Sequence, residues 1–144
     1  MQIAIINGPN LNLLGKREPG IYGNTDFDSF YLELQQRYPT ISFVYFQSNV
    51  EGELINALQE YGFDFDGIIM NPGGYTHTSV AIGDTIAAIT TPVVEVHISN
   101  VHAREDFRKL SHVSAKAAGT ICGLGLTGYQ LAVDYFIATI GLYF

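Results

Sequence analysis

The strongest constraint on this chain is an alternation. Short apolar runs take turns with longer segments whose apolar residues recur every three or four positions. The runs are residues 2–7, 41–46, 67–71, 92–97 and 120–124, rich in Ile, Val, Phe and Tyr and bounded by Gly, Pro or Asn. Runs of this length and composition are expected to be strands buried on both faces, as in a parallel sheet. Between the first two, Phe27, Phe30, Tyr31, Leu34 and Tyr38 follow helical spacing, behind a cap at Thr25 or Asp26 and ahead of Pro39. Leu54, Ile55, Leu58 and Tyr61 repeat the pattern before Gly62, and a further helix is expected from about 79 to 89, capped by Thr78 or Ser79. The last helix is expected to begin near Thr127. No composition break, linker or repeat interrupts residues 1–144, so one α/β domain is predicted. Its five strands form a parallel sheet with helices on both faces. The order such a sheet most often takes is 2-1-3-4-5, with ligands beyond the C-terminal ends of the strands. The polar residues that end the runs fall there: Asn7 and Asn10, Asn71, His97 and Ser99.

Two segments stand apart. Residues 9–25 are polar and Gly-containing, and read as a long loop, a length that usually signals function or disorder. The last helix carries one apolar stripe of Tyr129, Ala132, Val133, Phe136, Ile137 and Ile140, and a second of Leu131, Tyr135, Ala138 and Leu142. One stripe covers a sheet; the other calls for a partner or stays as an aromatic surface.

Charge narrows the function. Seven Lys or Arg stand against fourteen Asp or Glu, a net charge of -7. So acidic a chain lacks the basic stripe that a nucleic-acid binder needs to neutralise phosphates. Yet Lys16–Arg17 and Arg104, Arg108, Lys109 gather five of the seven cations into two short segments, as a site for a small anion would. The single Cys122 excludes an internal disulfide and points to a reducing cytoplasm. The opening MQIAIINGPN lacks the basic n-region of a signal peptide, and no stretch reaches the roughly 18 to 20 apolar residues of a membrane span.

Four segments carry candidate chemistry. Within 10–23, Arg17 and Tyr22 share one loop. A tyrosine kept ionised at neutral pH costs about 4 kcal/mol, and an adjacent guanidinium removes part of that cost, so the pair can make a phenolate base. The same residues also describe a packed tyrosine beside a surface charge. In 71–84, two glycines allow close backbone approach, His77 precedes a helix cap, and no Gly-Lys-Ser/Thr of a nucleotide-binding loop is present. A lone loop His is also a common surface residue. In EVHIS, Glu95, His97 and Ser99 share one face of the fourth strand while Val94, Val96 and Ile98 take the other. Burying Glu and His there without a partner would be costly, which favours a site. Glu95 and His97 could also be two ligands of a metal, with no third evident at standard spacing. Finally, Arg104 and Arg108 at i, i+4 would, if helical, project together and clamp a carboxylate. Glu105 and Asp106 could instead satisfy them locally.

Taken in order, NGPNLNLLGKREPGIYG at 7–23, QSNVEGELIN at 47–56, NPGGYTHTSVAIGD at 71–84, EVHISNVHAREDFR at 95–108 and GLGLTGY at 123–129 resemble type II 3-dehydroquinate dehydratase over nearly the whole chain. The resemblance implies a flavodoxin-like fold and the conversion of 3-dehydroquinate to 3-dehydroshikimate by anti elimination of water through an enolate. It implies no metal and no cofactor, and a homo-oligomer of trimers assembled into a dodecamer. By position, Tyr22 resembles the proton acceptor, Arg17 the residue that poises it, and His97 the acid, with Glu95 beside it. Asn10 resembles the holder of a water at the enolate oxygen. Asn71, His77, Ile98, Ser99 and Arg108 resemble substrate contacts, Arg104 is expected to line the same mouth, and Asp84 resembles a residue reaching a neighbouring subunit's site. Two positions depart from the family pattern: Val50 where His is common, and Gly83 where Arg is common.

The family's unrelated counterpart uses a Schiff-base lysine, and Lys16, Lys109 and Lys116 all sit in polar contexts that do not favour one. The same step serves aromatic biosynthesis and quinate breakdown. A non-catalytic flavodoxin-like module for a nucleotide or flavin is the rival reading; the sequence speaks against it, because neither a Gly-rich phosphate loop after strand one nor a Trp/Tyr flavin sandwich is evident.

Overall fold

Strands apolar on both faces are satisfied only between two helical layers, and the chain is built that way. A computed structural model describes residues 1–16, 19–22 and 24–141; for Pro19 and Tyr22 it describes the backbone alone. Arg17, the Tyr22 side chain and Leu142 therefore lie outside the described residues. The strands are β1 (Gln2–Asn7), β2 (Ser42–Gln47), β3 (Gly67–Asn71), β4 (Val93–His97) and β5 (Gly119–Cys122). They form one parallel sheet in the order β2-β1-β3-β4-β5, as expected. The helices are α1 (Pro19–Tyr22, a single turn), α2 (Phe27–Arg37), α3 (Glu51–Tyr61), α4 (Val80–Ala88) and α5 (Thr127–Gly141).

Strand alternation splits the core in two. Ile3, Ile5, Ile69, Val94 and Val96 face α2 and α5 through Phe30, Leu34, Tyr129, Val133 and Phe136. Ala4, Ile6, Ile68, Met70 and Val93 face α3 and α4 through Leu54, Leu58, Ile82 and Ile86. Each fully buried Leu or Ile contributes roughly 1.5–3 kcal/mol. Local signals set the helix ends. Asp26 accepts from the Ser29 amide at 2.7 Å and Ser79 from the Ile82 amide at 3.0 Å, each satisfying an otherwise orphan donor.

Three expectations are corrected. The 9–25 segment is not one open loop: Leu11–Leu13 form a 3-10 turn, and buried Leu11 and Leu14, three apart, pin it to the core. Residues 103–109 are not one helical turn. Val101–Ala103 and Asp106–Lys109 are separate 3-10 turns with Arg104 extended between them, so Arg104 and Arg108 share no helix face. β5 stops at Cys122 because Gly123 turns the chain with φ 85°.

In α5, Tyr129, Ala132, Val133 and Phe136 are buried, but Ile137 of the covered stripe stays 41% exposed beside exposed Leu131 and Tyr135. Val50 stands just before α3, at its N-cap position, with its side chain exposed. Gly83 has a packing reason: a Cβ there would overlap the His112 carbonyl oxygen. The 111–114 segment thus lies directly against α4, where no larger side chain fits.

Candidate active site

The sheet register brings polar residues to one edge. Gln47, Asn7 and Asn71 are adjacent across β2, β1 and β3, and His97 ends β4 beside them. Above this edge lies a pocket of about 150 Å³ lined by Asn10, Asn71, His77, His97, Ser99, Arg104 and Arg108, with Leu11, Leu14 and Ile98 as its apolar wall. That volume is well below the ~300 Å³ at which drug-sized sites begin, so it suits a compact metabolite rather than a dinucleotide.

Asn10 holds one corner. Among the described residues it is the one non-glycine with positive φ, 70°, an unfavourable conformation that marks a constrained site. The QSN motif fixes it: Asn49 Oδ1 accepts from the Asn10 amide at 3.0 Å and from Gln47 Nε2 at 3.3 Å, and Tyr75 donates to the Asn49 carbonyl at 3.0 Å.

Glu95 and His97 form the second corner. Glu95 is fully buried, and its carboxylate accepts from five side chains: His97 Nε2 at 2.7 Å, Ser111 at 3.0 Å, Thr120 at 3.2 Å, and Thr76 and Ser114 more closely. Burial alone raises the carboxyl's proton affinity, but His97, as donor and as charge, with the Ser114 and Thr76 hydroxyls, outweighs it and holds the pKa at about 2. Because a carboxylate only accepts, His97 Nε2 carries a hydrogen, and Nδ1 is left for the pocket.

A depressed carboxylate pKa stabilises the fold above the unfolded value, and that stability is lost as pH falls through the folded one. The window here runs from 4.5 down to about 2. A drop of this size is worth on the order of 3 kcal/mol. Acid unfolding followed by circular dichroism should therefore be steep in that window and shallower in Glu95→Gln. Parallel curves for the two proteins would refute the buried-anion account.

His77 donates Nδ1–H to the Leu110 carbonyl at 2.7 Å, which leaves Nε2 as an acceptor. Burial lowers its pKa, aided by the nearby His97 and Arg108 charges and opposed by the Leu110 hydrogen bond, so the ring favours its neutral form. Phe107 meets it edge-on at 6.2 Å and carries the Arg108 guanidinium on its own ring at 5.0 Å. Arg108 Nε donates to Glu105 at 2.6 Å, and Arg104 donates to Ser99 Oγ at 3.2 Å. Local pairing by Glu105 and a pocket position thus coexist, whereas Asp106 pairs with Lys109.

The structure therefore brings together Asn10, Asn71, His77, His97, Ile98, Ser99, Arg104 and Arg108, with Glu95 directly behind His97. Asp84 is elsewhere, on α4, lining an open groove with Gln59, Phe63, Thr85, Ala88 and Ile89. Arg17 and the Tyr22 side chain lie outside the described residues. Sequence reasoning missed the hydroxyls of Thr76, Ser111, Ser114 and Thr120. Its one available signal was that a buried carboxylate needs donors; the register that sets Thr120 opposite Glu95 names one of them only in the folded sheet. Among the described residues, no three His, Cys, Asp or Glu come together as metal ligands. No helix among them is long and apolar enough to cross a membrane.

Comparison with known proteins shows the family. The family model for class II dehydroquinase matches residues 1–137. The chain is 56% identical over 142 residues to a 3-dehydroquinate dehydratase of Fusobacterium nucleatum, covering 95% of this chain and 97% of that protein. It is 54% identical to one of an Exiguobacterium species, covering 95% and 94%. The crystal structure of a type II dehydroquinase from Butyrivibrio crossotus superposes with a TM-score of 0.91 at 44% identity, over 94% of this chain and 97% of that one.

Proposed function

As a member of the class II dehydroquinase family the chain dehydrates 3-dehydroquinate, and from that premise we propose an anti elimination through an enolate with Tyr22 as base and His97 as acid. The product is 3-dehydroshikimate, and the step belongs to the shikimate pathway. The observation that carries the acid assignment is the His97–Glu95 pair at 2.7 Å, with Glu95 fully buried. It orients the ring and leaves Nδ1 for the transfer.

In the first step the Tyr22 phenolate takes the proton from the carbon next to the ketone, and the C–H electron pair moves onto the ketone oxygen as an enolate. In the second, the enolate re-forms the ketone and a carbon–carbon double bond. The hydroxyl leaves as water with the proton from His97 Nδ1. Arg17 favours the phenolate by its charge, and Asn10 holds a water at the enolate oxygen. Arg104 and Arg108 line the pocket and supply the positive field that a carboxylate substrate and a developing enolate need; such preorganised charge is usually the largest catalytic contribution. Asn71, His77, Ile98 and Ser99 complete the substrate contacts.

We place the enzyme in the cytoplasm, as its single cysteine suggests, and assemble it as trimers within a dodecamer. The position of Asp84 outside its own chain's pocket supports a role at a neighbour's site.

Purified protein given 3-dehydroquinate should produce the ultraviolet absorbance of a conjugated enone, at the same rate with and without a chelator. A rate that disappears on chelation and returns with a divalent ion would refute the metal-free mechanism.

A further inference from the structure

The GLGLTGY segment matches the family but carries no role in the reaction described so far, and its last residue is a fully buried polar group near the pocket. Tyr129 is fully buried at the start of α5. Gly128 permits this: a Cβ there would already sit 3.2 Å from Val96, so the helix start lies tight against β4. The ring packs against Phe27 and Phe30 at 5.1 and 5.8 Å. Its hydroxyl donates to Asn7 Oδ1 at 2.7 Å and accepts from Asn71 Nδ2 at 3.1 Å, while Asn71 Oδ1 accepts from the Gly73 amide at 3.1 Å.

The direction of donation in this chain allows one orientation of the Asn71 amide. Flipped, Asn71 would set its oxygen against a hydroxyl whose hydrogen is already given to Asn7. It would also set its NH2 against the Gly73 N–H. In the observed orientation one Asn71 N–H is spent on Tyr129 and the other remains for the pocket that Asn71 lines. Burial pushes the Tyr129 phenol far above its ordinary range, so it stays a neutral hydroxyl that can both donate and accept.

We propose that Tyr129 is a positioning residue whose hydroxyl locks the Asn71 amide so that its free N–H is presented to the substrate. This rests on Asn71 being a substrate contact. A contact made equally to bound substrate and transition state acts on KM rather than kcat. Tyr129→Phe keeps the packed ring and removes the hydroxyl with its bonds to Asn71 and Asn7. It is expected to raise KM about tenfold, the effect of one misoriented hydrogen bond, with kcat within about threefold of wild type.

A double-mutant cycle tests the route. Asn71→Ala should raise KM by at least as much, and adding Tyr129→Phe to it should change KM less than about twofold. If Tyr129→Phe leaves KM unchanged, or raises it equally in the Asn71→Ala background, the positioning role is overturned while the contact role of Asn71 stands. If Asn71→Ala itself leaves KM unchanged, the contact reading fails and the lock falls with it. Should Tyr129→Phe not fold, Asn7→Ala gives the answer: it frees the Tyr129 hydrogen and leaves the Gly73 amide as the remaining hold on the Asn71 orientation, which should raise KM about threefold, and no rise would overturn the proposal.

Discussion

Replacing Tyr22 by Phe is expected to lower kcat by about 10³-fold or more while leaving substrate binding and the fold unchanged. Phe keeps the ring and loses only the oxygen that takes the proton, so the whole deficit falls on the chemical step. General bases contribute about 10² to 10⁴-fold, and this one acts on a carbon acid, where no solvent base is positioned to substitute. The cost of holding a phenol ionised, about 4 kcal/mol at neutral pH, explains why a cation accompanies it in the sequence. Steady-state turnover and calorimetric titration with the product would measure the two effects separately. A variant near the wild-type rate would eliminate Tyr22 as the base.

Replacing His97 by Ala is expected to lower kcat by about 10² to 10⁴-fold, the range for loss of a positioned acid. The residue is buried, lines the pocket and is held by Glu95 at 2.7 Å, so no water of comparable orientation replaces it. The two variants fail at different bonds, and heavy water separates them. With His97 gone, Tyr22 still makes the enolate, which returns to substrate, so deuterium should wash into the carbon next to the ketone without dehydration. With Tyr22 gone, neither exchange nor dehydration should occur. Exchange absent from His97→Ala, or dehydration retained in it, would contradict the stepwise path with these two residues.

Much of this was legible beforehand. The five strands follow from apolar period and turn chemistry, which are local, and of the two cap candidates at each helix start the structure uses Asp26 and Ser79. The sheet order came from the habit of the fold class and not from the periodicity, and the structure has that order. The face shared by Glu95 and His97 follows from strand alternation alone, and the structure closes that pair with a hydrogen bond. The expected helical clamp of Arg104 and Arg108 fails for a local reason too. The chain extends at Arg104, whose guanidinium reaches Ser99 instead of stacking above Arg108, yet both still reach one pocket because the segment folds back over the sheet edge.

What the sequence by itself determined is the sheet, its two helical layers, the edge where the pocket lies and the residue types that meet there. Each is written in periodicity, in caps, or in motifs contiguous along the chain. What only the tertiary structure decided is who supports whom. Four hydroxyls converge on Glu95 from Thr76, Ser111, Ser114 and Thr120, and Tyr129 reaches Asn7 across 122 residues of sequence. Gly83, a departure from the family pattern, proved to be the space that the His112 carbonyl occupies. A Ser, a Thr or a Gly carries no local sign of which distant group it will face. The partner is chosen by strand register and by how closely a helix or loop is allowed to approach, and those are properties of the packed chain.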